Sequence, residues 1–413
     1  MPVQTNTLEL LCEVMREVCG DTPASLPLQA SLTECGLSSL ALVVLRERCE
    51  KAFGVFIPDS DWLSATTVSD LVNLIDRRKA ASAPPGNSAH RSAGEAAAMG
   101  NADDMAEAFE IGMPLMGIAN LNESALLKHL GDLRWRHITR LTGVQSRDLV
   151  DAEGNRLYPA FFYVEIRFPD DRPLGSFGEN DGLHAIDRVR RFGHSILDGL
   201  TYLIPPHRQE VISGPLGGFD DAVAAGIPAV RMANAFVMKF DGAEWLKRSR
   251  PQSGVLESVL EIQSPPASYL FSKQVQEGGR IGEPPPQATE LNPSAAAYHY
   301  DIQPDRDVNG AGLLYFANYP LFLDLAERQG LRSAGVPWED ALINTRSLVH
   351  RKLVYLNNAS WKDAIEIRTR IWTDGEPHRK AGVFRLFSEQ RMSRKSDGRP
   401  MCVGWSEKIG ARP

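Results

Sequence analysis

Hydrophobic residues recur every three or four positions in three short segments near the start of the chain. This spacing places them on one face of a helix in each segment. The sequence therefore predicts a small bundle of three helices with a long first connection. The apolar positions are Leu8, Leu11, Met15 and Val18 in the first segment, Leu42, Leu45, Cys49 and Phe53 in the second, and Val68, Leu71, Leu74 and Ile75 in the third.

The second predicted helix starts within residues 34–40, Glu-Cys-Gly-Leu-Ser-Ser-Leu, and ends near Gly54. Ser38 or Ser39 would cap its N-terminus. The unpaired N–H groups and the positive dipole end of a helix stabilise a phosphodiester placed there. Ser39 is therefore a candidate attachment site for a phosphate-linked group.

Residues 1–80 resemble the acyl carrier protein family, whose signature is Gly-x-Asp-Ser-Leu with the serine modified. Here residues 36–40 read Gly-Leu-Ser-Ser-Leu, so Ser38 stands in place of the family's aspartate. The resemblance implies a 4′-phosphopantetheine group attached covalently to Ser39. The alternative is a small helical bundle in which this serine is only a helix cap.

Residues 81–108 consist largely of Ala, Ser, Gly and Pro. Such a composition cannot bury enough apolar surface to fold, so we predict a flexible linker. A linker of about 25 residues spans roughly 25–30 Å, which holds a tethered domain at about millimolar effective concentration. The carrier could then reach the following domain of its own chain or that of a neighbouring subunit.

The remaining chain repeats itself at an offset of about 195 residues. Each copy contains a helix with an Asn near its start, followed by β-branched and aromatic strands with alternating polarity. A helix followed by antiparallel strands, twice over, predicts an α+β domain with two long helices wrapped by sheet. The repeats span 109–290 and 291–413; the helices follow 118 and 315, and the strands are 157–167, 181–189 and 229–240, then 347–356, 363–372 and 401–409.

Length and charge narrow the function classes. The 413 residues, 43% of them hydrophobic, suffice for two or three domains. A net charge of −7 without a clustered basic patch argues against a nucleic-acid partner. The N-terminus lacks the charged and apolar regions of a signal peptide, and no run of about 20 apolar residues occurs. We therefore expect neither export nor a membrane span.

The five cysteines show neither Cys-x-x-Cys spacing nor a neighbouring His cluster. This pattern predicts reduced thiols, a cytoplasmic location and no zinc site. The cysteines are Cys12, Cys19, Cys35, Cys49 and Cys402.

The order of elements after the linker resembles a hot-dog fold duplicated in one chain, the double hot-dog. Residues 307–327 are similar to the start of the long helix in hot-dog thioesterases, with Asn318 near the N-cap and Pro320 suited to the first helical position. We expect the N-terminus of this helix to direct free N–H groups into a substrate groove as an oxyanion site.

Six motifs of this domain, taken as a set, resemble the family of the bifunctional acyltransferase/decarboxylase of leinamycin polyketide biosynthesis. The resemblance covers roughly residues 110–410 and implies a reaction sequence: methylmalonyl-coenzyme A acylates an active-site tyrosine, carbon dioxide is lost, and propionyl passes to an acyl carrier protein. The matching tyrosine is Tyr158, with Tyr163 as the alternative. The motifs are 112–115, 130–135, 156–158, 179–183, 191–193 and 307–319.

A tyrosine is chemically suited to carry an acyl group. A phenol with a pKa of about 10 lies between an alkyl alcohol and a thiol, so its ester remains reactive enough to acylate a thiol. Arg156 precedes Tyr158 by two residues and would share its strand face. His184 or His194 is the candidate base.

Decarboxylation of a malonyl-type ester needs no metal or organic cofactor, because its own carbonyl group accepts the electrons. The protein has to hold the carboxylate in a dry pocket and stabilise the enolate oxygen. Candidate donors are Asn180, Asn309 and Asn318, with the N–H groups of residues 309–312. On residue types alone, Tyr158 also fits core packing, His184 an ordinary hydrogen-bonded position and Asn318 a helix cap.

We therefore predict a carrier–enzyme fusion that converts malonyl- or methylmalonyl-coenzyme A into an acyl-tyrosine and decarboxylates it. Acetyl or propionyl would then load the phosphopantetheine arm of its own or a partner acyl carrier protein, among polyketide synthase components. One alternative is a hot-dog thioesterase or dehydratase, for which a carboxylate would be expected where Asn318 stands. The other is a non-catalytic module that binds carrier-held acyl chains.

Overall fold

A computed structural model describes the chain in two compact units, one of residues 1–96 with 263–265 and one of residues 97–262 with 266–413. None of the helices that it describes is both long and apolar enough to cross a membrane. The described residues are 3–19, 28–32, 35, 39–53, 55, 57, 62, 65–81, 103–118, 120–211, 218–239, 246–293, 297–334, 346–374 and 382–412.

The N-terminal unit contains helices α1 (Val3–Cys19), α2 (Ser39–Phe53) and α3 (Val68–Ala81). The predicted apolar faces meet in its core, which confirms the three-helix prediction. Helix α2 begins at Ser39, whereas Ser38, Gly54 and most of the predicted linker lie outside the described residues. The fully buried core side chains include Leu11, Met15, Leu45, Cys49, Leu71 and Ile75.

In the second unit the described residues form one antiparallel sheet of twelve strands, in the order β1-β3-β4-β5-β2-β9-β12-β11-β10-β7, with β6 beside β5 and β8 beside β10. The strands are β1 (Met105–Glu110), β2 (Leu157–Arg167), β3 (Gly182–Phe192), β4 (Ile196–Ile204), β5 (Ala229–Lys239), β6 (Leu246–Arg248), β7 (Thr289–Glu290), β8 (Tyr298–Asp301), β9 (Ser347–Tyr355), β10 (Ala364–Thr373), β11 (Gly382–Arg394) and β12 (Pro400–Arg412). The helices are α4 (Glu123–Thr142), α5 (Phe219–Ala224), α6 (Ala267–Gln276), α7 (Pro304–Asp307) and α8 (Tyr319–Ser333).

The strand order shows an internal duplication. In the first half the sheet runs through its first, third, fourth, fifth and second strands, and the second half repeats this order in mirror image. The second strands of the two halves, β2 and β9, pair with each other from Tyr163 opposite Val354 to Arg167 opposite His350. Each half thus consists of a strand, a long helix and four further strands. The unit is an α+β double hot-dog, as the sequence predicts.

Two predicted boundaries differ from the observed elements. Strand β1 starts at Met105, within the segment 81–108 that the sequence predicts to be a linker. Strand β7 ends the predicted first repeat, 109–290, yet it pairs with β10 of the second half. Short strands at a sheet edge carry too few residues to produce a periodic pattern.

Helix α4 has clear stop and start signals. The Asn122 side chain accepts a hydrogen bond from the N–H of Ala125 at 3.0 Å, and Gly143 ends the helix with a φ of 69°. The helix packs its apolar face on the sheet in a core that also includes α8. Its buried leucines are Leu126, Leu127, Leu130 and Leu133.

A buried ion pair fixes α4 to the first half of the sheet. Both oxygens of Asp187 on β3 accept hydrogen bonds from the Arg134 guanidinium, at 2.9 and 2.7 Å. His137 and Thr201 also bond to this carboxylate, at 2.8 and 2.7 Å. Neither charge of the pair is exposed to solvent, so the geometry of these contacts decides whether the pair stabilises the fold.

Candidate active site

A cavity of about 650 Å³ lies between strand β2 and the segment that leads into helix α8. Its wall comes from β2, β5 and β6 on one side and from residues 308–316 and the end of β9 on the other. Aromatic and aliphatic residues make up just over half of the lining, and polar residues make up the rest. A cavity with an apolar wall and convergent polar groups is typical of ligand sites. The polar residues that line it are Ser146, Arg156, Tyr158, Arg248, Gln276, Asn309, Tyr315, Tyr319, Tyr355, Asn357, Asn358 and Arg394.

Tyr158 is the predicted site residue that β2 presents to this cavity. The guanidinium of Arg156 lies over its ring, 4.9 Å from the centroid, which is a cation–π contact. Tyr158 pairs with Val237 on β5, and Val237 pairs with Arg248 on β6. Directly opposed residues share a sheet face, so Arg248 follows Tyr158 in one cross-strand row. The exposed Arg156 therefore contacts the partly buried phenol, whereas the exposed Arg248 lies two strands away, beyond Val237.

The charged groups of the cavity wall are all arginines. Among the described residues that line it, three are Arg and none is Asp, Glu or His. Arg394 is buried and is neutralised by Asp397, which accepts its Nε and Nη2 hydrogen bonds at 2.9 and 2.6 Å. The site thus favours anionic ligands and offers hydroxyl groups, rather than a carboxylate or an imidazole, as its nucleophiles.

Asn309 holds the loop that forms one side of the cavity. Its Oδ1 accepts hydrogen bonds from the N–H groups of Ala311 and Leu313, at 3.0 and 3.1 Å. Lys239 donates to the carbonyl oxygen of Ala311 at 3.0 Å, and Gly312 takes up a φ of 71° that suits glycine. Within the described part of the chain Nδ2 of Asn309 has no hydrogen-bond partner, so this group is available to a ligand.

Asn318 occupies the N-cap position of α8 but does not line the cavity. It is buried, and its Nδ2 donates to the carbonyl oxygen of Arg306 at 3.1 Å. The backbone N–H of Asn318 donates to the carbonyl oxygen of Tyr315, and that of Tyr319 donates to the carbonyl oxygen of Phe316. Pro320 has no backbone N–H. The sequence predicts that the first N–H groups at this helix end form an oxyanion site. They are instead hydrogen-bonded within the 3-10 turn Phe316–Asn318.

His184 lies far from Tyr158 in the sheet. It pairs with Ile204 on β4. Ile204 lies two residues beyond Tyr202, which pairs with Ala229 on β5. Tyr158 pairs with Val237, eight residues further along β5 than Ala229. His184 and Tyr158 are thus ten residues apart along the strands, which is roughly 33 Å at about 3.3 Å per residue. The expectation that His184 serves as the base for Tyr158 is therefore wrong.

Asn180 and His194 also lie outside the cavity. Asn180 is exposed just before β3, with a φ of 64° and its N–H bonded to the Ile111 carbonyl at 2.9 Å. It therefore belongs to the same distant end of the sheet as His184, which corrects its assignment as an enolate donor. His194 is exposed in the turn between β3 and β4. The structure brings together only Tyr158 and Asn309 of the predicted catalytic set.

Tyr163, the alternative nucleophile, is buried away from the cavity. Its hydroxyl donates to Glu165 at 2.7 Å, and Glu165 also bonds to His350 at 2.8 Å. Burial and the negative charge of Glu165 raise the pKa of Tyr163 well above its usual value. The register of β2 against β5 shifts between Phe161 and Tyr163, and such a bulge re-aims the side chains that follow it. Of the two tyrosines, Tyr158 is the one with access to a ligand.

Aromatic rings form an apolar floor beside these polar groups. The rings of Phe161 and Phe316 lie 4.0 Å apart between centroids, and Tyr315 packs edge-on against Phe316 at 5.3 Å. Phe316 rests on Gly131 of helix α4, where a Cβ atom would lie 2.9 Å from the ring. Phe316 thus lies between the cavity, which it lines, and helix α4.

The start of the second strand in the other half of the duplication is covered. Ser347 begins β9, and the pairing of β2 with β9 about Glu165 and Lys352 makes it the counterpart of Ala160. Its Oγ accepts a hydrogen bond from the N–H of Gly175 at 2.6 Å, and the carbonyl of Gly175 is bonded to Asn120. The 3-10 turn Leu174–Ser176 therefore covers this strand start, whereas Ala160 lines the open cavity.

Several residues of the site carry no sequence signal that identifies them. Arg248 comes from the three-residue strand β6, and Arg394 ends β11; only the folded sheet brings them to the cavity that Tyr158 lines. Tyr319 follows Asn318 at the start of the predicted helix, so its location could have been predicted. Its orientation toward a cavity could not.

Comparison with protein families identifies the N-terminal unit. The family model described as the phosphopantetheine attachment site matches residues 9–75. These residues include all of helix α2 and most of α1 and α3. No curated protein matches the chain.

Solved structures similar to the second unit carry thioesterase names. An oleoyl thioesterase from Lactobacillus plantarum gives a TM-score of 0.49 at 8% identity and covers 76% of this chain and 98% of its own. An acyl-ACP thioesterase from Bacteroides thetaiotaomicron gives a TM-score of 0.43 at 12% identity, and the match covers 74% of this chain and 98% of the thioesterase. The 12:0-ACP thioesterase from Umbellularia californica gives a TM-score of 0.42 at 9% identity, and the match covers 75% of this chain and 98% of the thioesterase.

These TM-scores are below 0.5, so the assignment of the fold rests on the strand order of the chain itself. The chain joins a phosphopantetheine attachment domain of the acyl-carrier type to an α+β double hot-dog domain.

Proposed function

We propose that the double hot-dog unit is a bifunctional acyltransferase/decarboxylase. It takes the acyl group of malonyl- or methylmalonyl-coenzyme A onto Tyr158, decarboxylates it, and passes acetyl or propionyl to a carrier thiol. The observation that carries this proposal is the composition of the cavity. An accessible phenol that carries the guanidinium of Arg156 over its ring lines a cavity whose charged residues are all arginines, and the described lining holds no carboxylate or imidazole that could activate water.

The acyl transfer balances without a separate base. The Tyr158 oxygen attacks the thioester carbonyl carbon, the C–S bond breaks, and the phenolic proton ends on the departing thiolate. Arg156 stabilises negative charge on the phenol oxygen during this exchange, because its guanidinium lies 4.9 Å from the ring centroid. Thiols and phenols differ by only about 1.5 pKa units in their ordinary values, so the transfer is readily reversed toward a second thiol.

In the second step the bond between the carboxylate carbon and the α-carbon breaks, and its electron pair moves into the ester carbonyl to give an enolate. Carbon dioxide leaves, and a proton from solvent completes the α-carbon. The floor of Phe161 and Phe316 provides an apolar wall, and the free Nδ2 of Asn309 is a donor for the enolate oxygen.

The N-terminal unit supplies the acceptor. Ser39 is the first residue of α2, and the N-terminal end of a helix in general favours a phosphate group. When attached to Ser39, 4′-phosphopantetheine provides the thiol that takes the acyl group. A carrier and a loading enzyme in one chain suit the start of a polyketide-type pathway, with polyketide synthase components as partners.

The test follows the mass of the intact protein after phosphopantetheinylation and incubation with malonyl- or methylmalonyl-coenzyme A that is isotopically labelled in its free carboxylate. We expect wild type to gain acetyl or propionyl and to release labelled carbon dioxide. Tyr158→Phe should release none, and Ser39→Ala should hold the acyl group on the double hot-dog unit. Tyr163→Phe is the matched control, because its hydroxyl is buried on Glu165 outside the cavity.

Other outcomes would refute the proposal. Free acid without labelled carbon dioxide would identify a thioesterase, and a chain that binds the thioester unchanged would identify a binding module. Equal activity of wild type and Tyr158→Phe would remove Tyr158 from the mechanism even if carbon dioxide is released.

A further inference from the structure

Tyr319, the first residue of helix α8, lies in the wall of the same cavity. Its ring packs edge-on against Tyr355, with centroids 4.9 Å apart, and contacts Phe322 on the other side. Only 1% of the residue is exposed. Because Tyr319 lines the cavity and is otherwise enclosed, its remaining accessible surface faces the ligand space.

The hydroxyl of Tyr319 has no hydrogen-bond partner within the described part of the chain. Its neighbour Tyr355 differs in this respect, because it donates to the carbonyl oxygen of Phe316 at 3.1 Å. Leaving a buried polar group unpaired is costly unless a ligand or water supplies the missing partner. A buried phenol with a free O–H at the wall of a binding cavity is therefore poised to bond to a ligand.

We propose that the Tyr319 hydroxyl donates a hydrogen bond to the carbonyl oxygen of the acyl group in this cavity and is a catalytic residue of the site. This inference rests on the proposed function of the cavity as an acyl-transfer site. In the attack by Tyr158 and in the loss of carbon dioxide, negative charge collects on this one oxygen. The bond to Tyr319 strengthens as that charge grows, and no proton has to be transferred.

The surroundings of Tyr319 suit a donor rather than a nucleophile. Burial raises its pKa well above the usual value, so the phenol keeps its proton. Within the described residues, no cation–π contact stabilises its deprotonated form, whereas Arg156 stacks on Tyr158. The two tyrosines of the cavity thus have different roles that follow from their environments.

The test measures the bound acyl carbonyl directly, in the full-length Tyr158→Phe variant, which holds the ligand unreacted. The probe is propionyl-coenzyme A labelled with carbon-13 at the carbonyl, and the readout is its isotope-edited infrared band. A donated hydrogen bond lowers the carbonyl stretching frequency. We expect a lowered band in the Tyr158→Phe background and its return to higher frequency when Tyr319→Phe is added, while Tyr163→Phe leaves the band unchanged.

In parallel, Tyr319→Phe alone should lower kcat for carbon dioxide release by about 10²–10³-fold, as removal of an oxyanion donor does elsewhere. The affinity for propionyl-coenzyme A should fall much less than kcat. A band that Tyr319→Phe does not move overturns the inference, even if the rate falls, because the loss is then structural. If the band shifts but wild type releases no carbon dioxide, Tyr319 binds the acyl oxygen and the decarboxylase proposal alone is wrong.

Discussion

If the cavity binds an acyl group as proposed, Phe316, which packs on Gly131 of helix α4, limits the length of that group, and replacement of Gly131 by Ala tests this. The added Cβ would lie 2.9 and 3.0 Å from two ring atoms of Phe316. Carbon atoms this close repel each other strongly, so the ring has to move. It can move only away from α4, toward Phe161, whose ring centroid is 4.0 Å away. The displaced rings then take up space at the floor of the cavity.

Two opposing effects decide the stability of Gly131→Ala. Alanine is favoured over glycine within a helix by about 1 kcal/mol. Inserting one methyl group into a packed site costs about 1–3 kcal/mol. We therefore expect a net loss of about 0–2 kcal/mol in the free energy of unfolding. One methylene of lost cavity length corresponds to about 1–3 kcal/mol of discrimination between acyl groups, which is roughly 10–200-fold.

The assay compares the affinities of acetyl- and propionyl-coenzyme A by calorimetry in the Tyr158→Phe background. We expect Gly131→Ala to lower the ratio of propionyl to acetyl affinity by at least about tenfold. Adding Phe316→Leu, which shortens the displaced side chain, should restore much of the ratio. An unchanged ratio in a variant that is more stable than its parent would refute the reasoning, because helix propensity alone would then explain the effect.

Two further predictions concern the buried Arg134–Asp187 pair. Asp187→Asn should lower the free energy of unfolding by about 3–5 kcal/mol in denaturant titrations at pH 7, because Arg134 is left buried without its counter-charge. Burial opposes ionisation of Asp187, but the charge of Arg134 and the hydrogen bonds outweigh it and lower its pKa. The stabilisation that ionised Asp187 provides is complete above the ordinary carboxyl pKa of about 3.9 and is lost as the pH falls below it. The free energy of unfolding of wild type should therefore fall more between pH 5 and 3 than that of Asp187→Asn. Equal dependence of the two free energies on pH would contradict this. Gly199→Ala should also destabilise the fold, because its Cβ would collide with the Arg134 guanidinium; a variant as stable as wild type by thermal melting would show that Arg134 can move without cost.

Periodicity was sufficient to predict most of the fold. The three helices of the carrier, the two long helices and the longer strands all have apolar faces with a clear period, and the structure confirms them. Asn122 and Asn318 both precede a long helix, which is why the repeat was detectable. Local signals of this kind depend on residues a few positions apart, and the sequence contains them directly.

Most of the site depends on contacts between residues far apart in the chain. Tyr158 and Arg248 face the same cavity only through the register of β2, β5 and β6, and a slip of one residue in any strand would turn one side chain to the other face. His184 was a reasonable candidate by spacing, yet strand order puts it at the other end of the sheet. The sequence predicts Asn318 both as the N-cap of α8 and as a hydrogen-bond donor to the enolate. The structure places it at the N-cap position, where its Nδ2 donates to the carbonyl oxygen of Arg306.

The duplication explains why one strong candidate residue can make a site in one half only. The second strands of the two halves start in different surroundings. The turn that carries Gly175 bonds to Ser347 at the start of β9, whereas Ala160, the counterpart of Ser347 in β2, lines the open cavity together with Tyr158. The two halves share a scaffold that buries the helices, but the loops differ. The chemistry therefore depends on which loop leaves a strand start open, and this is a property of tertiary packing rather than of the repeat.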